Sequence, residues 1–139
     1  MTDSMAESFV AKFAAAWAER DGAAFLALWH PDGELHSPFY DRTVYGREFG
    51  GLTELQRTQL PHLGWRLLDW TRRGEVVVIE WEAENRYGEQ IVRWRGVDKL
   101  ALRDGRIAQE VVYVDTAPLQ AMRAGTSVAA LVPLPPALD

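Results

Sequence analysis

Asp98 is the residue whose position most demands a chemical explanation. Over residues 90–102, side chains alternate between an apolar face of Val92, Trp94, Gly96, Leu100 and Leu102 and a basic face of Arg93, Arg95 and Lys99. Asp98 falls on the apolar face, the one charged side chain there. A carboxylate so placed must be paired, or must stay neutral through a raised pKa. Active-site acids arise in this way. Glu110 is the nearest candidate partner. If Asp104-Gly105 closes a three-residue bulged turn, Glu110 lies opposite Asp98; a two-residue turn slips the register and places it elsewhere. Two adjacent carboxyls share a proton, and one stays neutral near pH 7. The bland alternative is an Asp98 that caps a loop or pairs with an arginine.

His36 and Ser37 form a second candidate, at the end of a short strand where alternation turns one of the two inward. Ser37 has no His-Asp arrangement nearby and no nucleophile-elbow motif, so a covalent serine mechanism is not supported. His30 precedes Pro31 and His62 follows Pro61, as helix-boundary residues do. No two histidines stand at ligand spacing with a carboxylate, and the chain has no cysteine, so neither a metal nor another cofactor is expected.

Composition narrows the partners. A chain of 139 residues fits one domain with one core. Its formal charge of −5, with no basic run, disfavours nucleic acid. Six Trp, five Phe and four Tyr suit a core or a ligand pocket. The opening residues are acidic and no long apolar run follows them, so neither a signal peptide nor a membrane span is expected, and cytoplasm is the expected compartment.

The elements that must position these residues read as helices, then strands. Ser4, with Glu7 three residues on, fits a capping box for a helix carrying Phe9, Val10, Phe13, Ala14 and Trp17. Asp21-Gly22 breaks it, and a second helix carries Phe25, Leu26, Leu28 and Trp29 up to His30-Pro31. A short strand over 34–37 ends at Pro38. A loop through Tyr45-Gly46 leads to a third helix over 51–60. Strands follow over 65–72, 75–86, 90–102 and 107–115, joined by turns at Arg73-Gly74, Tyr87-Gly88-Glu89 and Asp104-Gly105, and a last helix spans 117–123. Glu80, Glu82 and Glu84 should lie beside the Arg93 and Arg95 row on the outer face of one hairpin, where opposite charges contribute roughly 0.2–1 kcal/mol per pair. Residues 1–124 form the domain, and 125–139 form an apolar, Pro-containing tail expected to dock on the protein.

Several of these stretches resemble a known family. Arg95-Gly96-Val97-Asp98-Lys99-Leu100, Arg103-Asp104-Gly105-Arg106-Ile107 and Tyr113-Val114-Asp115 look like the final hairpin of SnoaL-like domains, in the nuclear transport factor 2-like superfamily. The run from Ala23 to Gly33 and Val44-Tyr45-Gly46-Arg47-Glu48 also fit its pattern. The resemblance implies an α+β cone: three N-terminal helices packed on a strongly curved, mixed but mainly antiparallel sheet that encloses a pocket. It places Asp98 on the oxyanion-hole acid of ketosteroid isomerases, but Ser37 on their base and Phe13 on their helix tyrosine. Two of three roles then lack their chemistry. The Arg and Asp positions of limonene-type epoxide hydrolases fall on Glu80-Trp81-Glu82 and Val112, so that reaction is disfavoured too. Against the polyketide cyclases, Asp98 resembles the acid, while Glu84-Asn85-Arg86-Tyr87-Gly88 supplies no histidine.

The sequence thus reads as a small-molecule-binding protein, with Asp98 as acid or base and Glu110 or Ser37 assisting, in a cofactor-independent isomerase, cyclase or lyase acting on a small, largely apolar substrate. The pocket wall is assigned to Phe13, Trp17, Leu35, His36, Trp81, Trp94 and Val112. The alternative is a non-catalytic ligand-binding or dimerisation module of the same fold. A homodimer through the outer sheet face, where Val78, Val97 and Ala101 mix with Glu and Arg, is expected in either case.

Overall fold

In the computed structural model the chain is described over residues 1–128 and 131–137. Its elements run α1 (Asp3–Glu19), α2 (Gly22–Leu28), β1 (Trp29–His36), β2 (Val44–Tyr45), a 3₁₀ turn (Gly46–Glu48), α3 (Phe49–Gln59), β3 (Gly64–Arg73), β4 (Val76–Tyr87), β5 (Gln90–Arg103), β6 (Arg106–Val114) and α4 (Ala117–Arg123). The six strands form one open sheet in the order β2-β1-β6-β5-β4-β3, with β1 and β6 parallel and every other pair antiparallel. The fold is therefore α+β with a mixed, mainly antiparallel sheet, as expected.

Alternation along β4 and β5 decides which face the helices cover. Val77, Ile79, Trp81, Ala83 and Asn85 on β4 are buried, as are Trp94, Gly96, Asp98, Leu100 and Leu102 on β5. These residues pack with Phe9, Val10, Phe13 and Ala16 of α1 and Phe25 and Leu28 of α2. On the outer face, Glu82 lies opposite Arg95 and Glu84 opposite Arg93, with Nε–H···O distances of 3.0 Å in both pairs. Arg66 of β3 adds a second cation to Glu82 at 2.8 Å, and the two arginines hold the Glu82 carboxyl below its usual pKa.

Several boundaries differ from the expectation for local reasons. Thr2, not Ser4, caps α1: its Oγ1 accepts from the Met5 amide at 3.1 Å, so the helix begins at Asp3, two residues too early for a Ser4–Glu7 box. Trp29 belongs to β1 rather than to the second helix. It pairs with Ile107, stacks on Phe49 at 4.6 Å, and a register shift before Glu34 absorbs the Pro31-Asp32-Gly33 stretch. Two residues of the expected loop, Val44 and Tyr45, pair with β1 as β2. α3 begins two residues earlier than read, at Phe49. The β3–β4 connection is Gly74-Glu75, with Gly74 at φ 60, one residue later than expected.

Among the described residues of the tail, 127–128 and 131–137 are exposed. Gly125, at φ 69, turns the chain off α4, and Val128, Leu131, Val132 and Leu134 are exposed. Ala129, Ala130, Leu138 and Asp139 lie outside the described residues. No helix among the described residues is long and apolar enough to cross a membrane.

Candidate functional site

The β5–β6 hairpin positions the acids through a feature that the turn alone does not specify. Asp104 and Gly105, at φ 53 and 74, make a two-residue loop with Arg103 opposite Arg106. Continued regularly, that register would turn Glu110 to the outer face. Between the pairs Leu102–Ile107 and Ala101–Gln109, however, β6 carries one extra residue, Ala108. This bulge restores Glu110 to the inner face beside Asp98. Asp98 then lies opposite Val112, and Glu110 opposite Leu100, so the two carboxyls are diagonal neighbours. The turn is the two-residue alternative read from the sequence, and Glu110 stands diagonal to Asp98 rather than opposite it.

Both acids are buried, Asp98 at 3% exposure and Glu110 at 6%. The Trp81 indole donates from Nε1 to Asp98 Oδ1 at 2.8 Å. Trp81 reaches it because its direct cross-strand partner is Gly96: a Cβ at that position would stand 2.3 Å from the indole Cζ2. The ring therefore lies against bare backbone and passes its N–H to the next inward residue of β5.

Burial raises the Asp98 pKa to about 6, while bonds donated by Trp81 and by Glu110 stabilise its anion and restrain the rise. Burial also drives the Glu110 carboxyl well above its usual pKa, and there the Asp98 charge and the hydrogen bond to Asp98 add to the rise. Both carboxyls are thus pushed towards the protonated form, and the buried pair shares a proton. No arginine or lysine pairs with Asp98 among the described residues.

A third titratable group approaches from the helical side. Burial raises the Tyr40 hydroxyl pKa, a hydrogen bond from Gln56 Nε2 at 2.6 Å offsets part of this, and the Glu110 charge adds a further rise. Tyr40 sits in the irregular segment between β1 and β2, where no periodicity marks it. Its one signal in the sequence is an aromatic hydroxyl just after Ser37-Pro38.

The other candidates divide between two regions. Leu35 is buried and in parallel register with Glu110, and Val112 is half-buried opposite Asp98. Phe13 is 1% exposed and meets Trp65 edge-on at 5.9 Å. Trp17, on α1, stacks on Trp65, and Trp94 is buried on β5 opposite Ala83. His36 is directed away from the pair: its Nε2 lies 3.1 Å from Glu34 Oε2 and its Nδ1 3.4 Å from Thr43 Oγ1, with the side chain partly exposed. Being one residue from the inward Leu35, it takes the opposite face of β1. Ser37 accepts from the Phe39 amide at 3.2 Å in a local turn.

Two open concavities lie away from the acids. One, of about 520 Å³, is lined by residues of α1, α2 and α3, including Arg20, Leu26 and Arg57. The other, of about 290 Å³, lies on the sheet around Val97 and Tyr113. Among the described residues no three His, Asp or Glu side chains converge as a metal site would require.

The family model described as "SnoaL-like domain" matches residues 10–110, which spans α1 through the acid on β6. The chain belongs to the SnoaL-like domain family. Solved structures share the fold of this SnoaL-like protein at low identity. AclR, a proposed hydroxylase from Streptomyces galilaeus, is 17% identical with a TM-score of 0.75, over 94% of this chain and 87% of that one. IdmH, a proposed polyketide cyclase from Streptomyces antibioticus, is 16% identical with a TM-score of 0.72, over 85% and 97%. A protein with a ketosteroid isomerase-like fold from Catenulispora acidiphila, in complex with trimethylamine, is 20% identical with a TM-score of 0.73, over 85% and 92%. No curated protein matches the sequence. These likenesses place the SnoaL-like chain in its fold, which hosts more than one chemistry.

Proposed function

We propose that this SnoaL-like protein binds a small, largely apolar molecule against the inner face of its sheet and moves a proton on it with the Asp98–Glu110 pair, without a cofactor. The buried, hydrogen-bonded pair of carboxyls is the observation that carries this reading. Asp98, an anion at neutral pH, takes a proton from carbon next to a carbonyl. Glu110, still protonated, donates a hydrogen bond to Asp98 and moderates its basicity. The proton held on Asp98 is then returned at a second carbon or at oxygen, so isomerisation, ring closure or elimination can each follow from the same first step. The neighbouring folds that carry polyketide cyclase and hydroxylase descriptions are compatible with a substrate of this kind.

Exchange of an enolisable ketone's α-hydrogens with D2O, followed by NMR, tests the first step directly. Wild-type protein should accelerate exchange and Asp98→Asn should not. Equal exchange with both proteins would exclude Asp98 as the base.

One observation favours a second reading. Trp81 already occupies Asp98, and the pair is nearly sealed from solvent. A non-catalytic binding module would retain just such a closed pair for structure. Ligand binding without isotope exchange, in a protein whose Asp98→Asn variant binds equally well, would select it.

A further inference from the structure

Among the described residues five buried side-chain polar atoms lack a hydrogen-bond partner, and three of them belong to side chains of α1, β4 and β5. They are the indole Nε1 of Trp17, the indole Nε1 of Trp94 and the amide Oδ1 of Asn85. Cross-strand register brings them into one neighbourhood. Trp65 lies opposite Ala83, and Ala83 opposite Trp94. Trp17 stacks on Trp65, with 5.7 Å between ring centroids and 14° between planes. Asn85 is the next inward residue of β4 after Ala83. Asn85 is 3% exposed and Trp94 8%, whereas Trp17, Trp65 and Val92 are only partly buried, so the row meets solvent along one edge. Trp81, the remaining indole on this face of β4 and β5, is bonded to Asp98. Polar groups hidden from water ordinarily find partners, and an unpaired cluster in one place calls for an occupant.

We propose that Trp17, Trp94 and Asn85 form a second polar subsite that receives the neutral, donor-and-acceptor end of an elongated flat ligand. This rests on the inner face being a small-molecule site and adds what that molecule must carry. Two indole N–H groups can only donate, so they call for an acceptor oxygen on the ligand. Asn85 Oδ1 can only accept, so it calls for an N–H or O–H beside that oxygen. A primary amide or a hydroxycarbonyl edge supplies both. The end is taken as neutral because the inward residues of β4 and β5 include no lysine or arginine, and Arg20, three residues beyond Trp17, is held by the Leu60 carbonyl at 2.6 Å. The Trp17–Trp65 stack selects a planar body. Four residues of strand separate Trp94 from Asp98, about 13 Å at the usual rise, which sets the length of a ligand that touches both sites.

The matched probes are 2-naphthamide, 2-acetylnaphthalene, which has the acceptor alone, and 2-naphthoate, which has the anion. They are titrated into ¹⁵N-labelled wild-type protein, with the indole resonances assigned through Trp17→Phe and Trp94→Phe. The naphthamide should saturate, should shift the Trp17 and Trp94 indole N–H signals, and should bind roughly tenfold more tightly than the acetyl compound, a difference of one hydrogen bond. Asn85→Leu should reduce that preference to near one. The naphthoate should bind weakest. Equal affinity for the three probes, saturation without movement of the Trp17 and Trp94 signals, or no saturation by the naphthamide would each overturn the subsite. Asp98→Asn protein should show the same indole shifts, so a failure of the acid–base reading would be seen separately from a failure of the subsite.

Discussion

Glu110 stands diagonally across from Asp98 on the inner face, and it does so because Ala108 is an extra residue in β6. The bulge converts a two-residue Asp-Gly hairpin, which would have turned Glu110 to solvent, into a device that presses two carboxyls together in an apolar setting. Trp81 and Gly96 complete the arrangement by giving one of the acids a fixed donor. The consequences below follow from that geometry.

The pair should make the protein less stable as pH rises. Both carboxyls have folded pKa values above their unfolded ones, so the folded state binds more protons than the unfolded state. Their protons therefore favour folding fully below about pH 4, and the benefit is lost as pH climbs through about 6 and beyond. For Asp98 alone the loss is of order 3 kcal/mol. Urea unfolding from pH 4 to 8 should show wild type losing stability relative to Asp98→Asn/Glu110→Gln. Parallel curves for the two proteins would argue against the raised values.

Trp81→Phe removes a donor while keeping the ring. The Asp98 anion loses a hydrogen bond worth about 1.5–3 kcal/mol in buried settings, so its pKa should rise by roughly one to two units. A carbonyl-stretch titration by infrared difference spectroscopy would detect this, and an unmoved titration would show that the indole does not stabilise the anion.

Gly96→Ala places a methyl into the Trp81 ring and should cost about 1–3 kcal/mol in thermal unfolding, because the neighbour is a rigid indole rather than a flexible chain end. Measured in a Trp81→Leu background, the same substitution should cost far less. An equal cost in that background would mean that the clash lies elsewhere.

We further propose that the outer sheet face joins two copies of the chain. Tyr113 is 60% exposed there, beside Val97 and the shallow concavity lined by Glu80 and Arg95. Light scattering at micromolar concentration should give twice the chain mass, and Tyr113→Glu should shift it towards one copy. A single-chain mass for wild type would refute the dimer.

Much of this is legible in the amino-acid sequence, and the boundary is physical. Period-two alternation in residues 75–102 correctly turned Asp98 inward and set Glu82 and Glu84 beside Arg95 and Arg93, because a strand's faces are a local property. The α4 helix matched to the residue. The Ala108 bulge was not legible, since it depends on a partner strand rather than on composition. Trp29 read as helix because its apolar neighbours repeat at helical spacing, but pairing with Ile107 and stacking on Phe49 prevail over that local signal. Tyr40 and Gln56, far apart in sequence and on no shared element, meet only in three dimensions.

The most direct test of the shared proton is a ¹³C NMR titration of the Asp98 and Glu110 side-chain carboxyls from pH 4 to 9, assigned with Asp98→Asn and Glu110→Gln. Glu110 should remain protonated through pH 7, and Asp98 should titrate near 6 and above its usual range, each transition moving when the other residue is replaced. Two independent transitions near pH 4 would contradict the buried pair and, with it, the acid–base function proposed for this site.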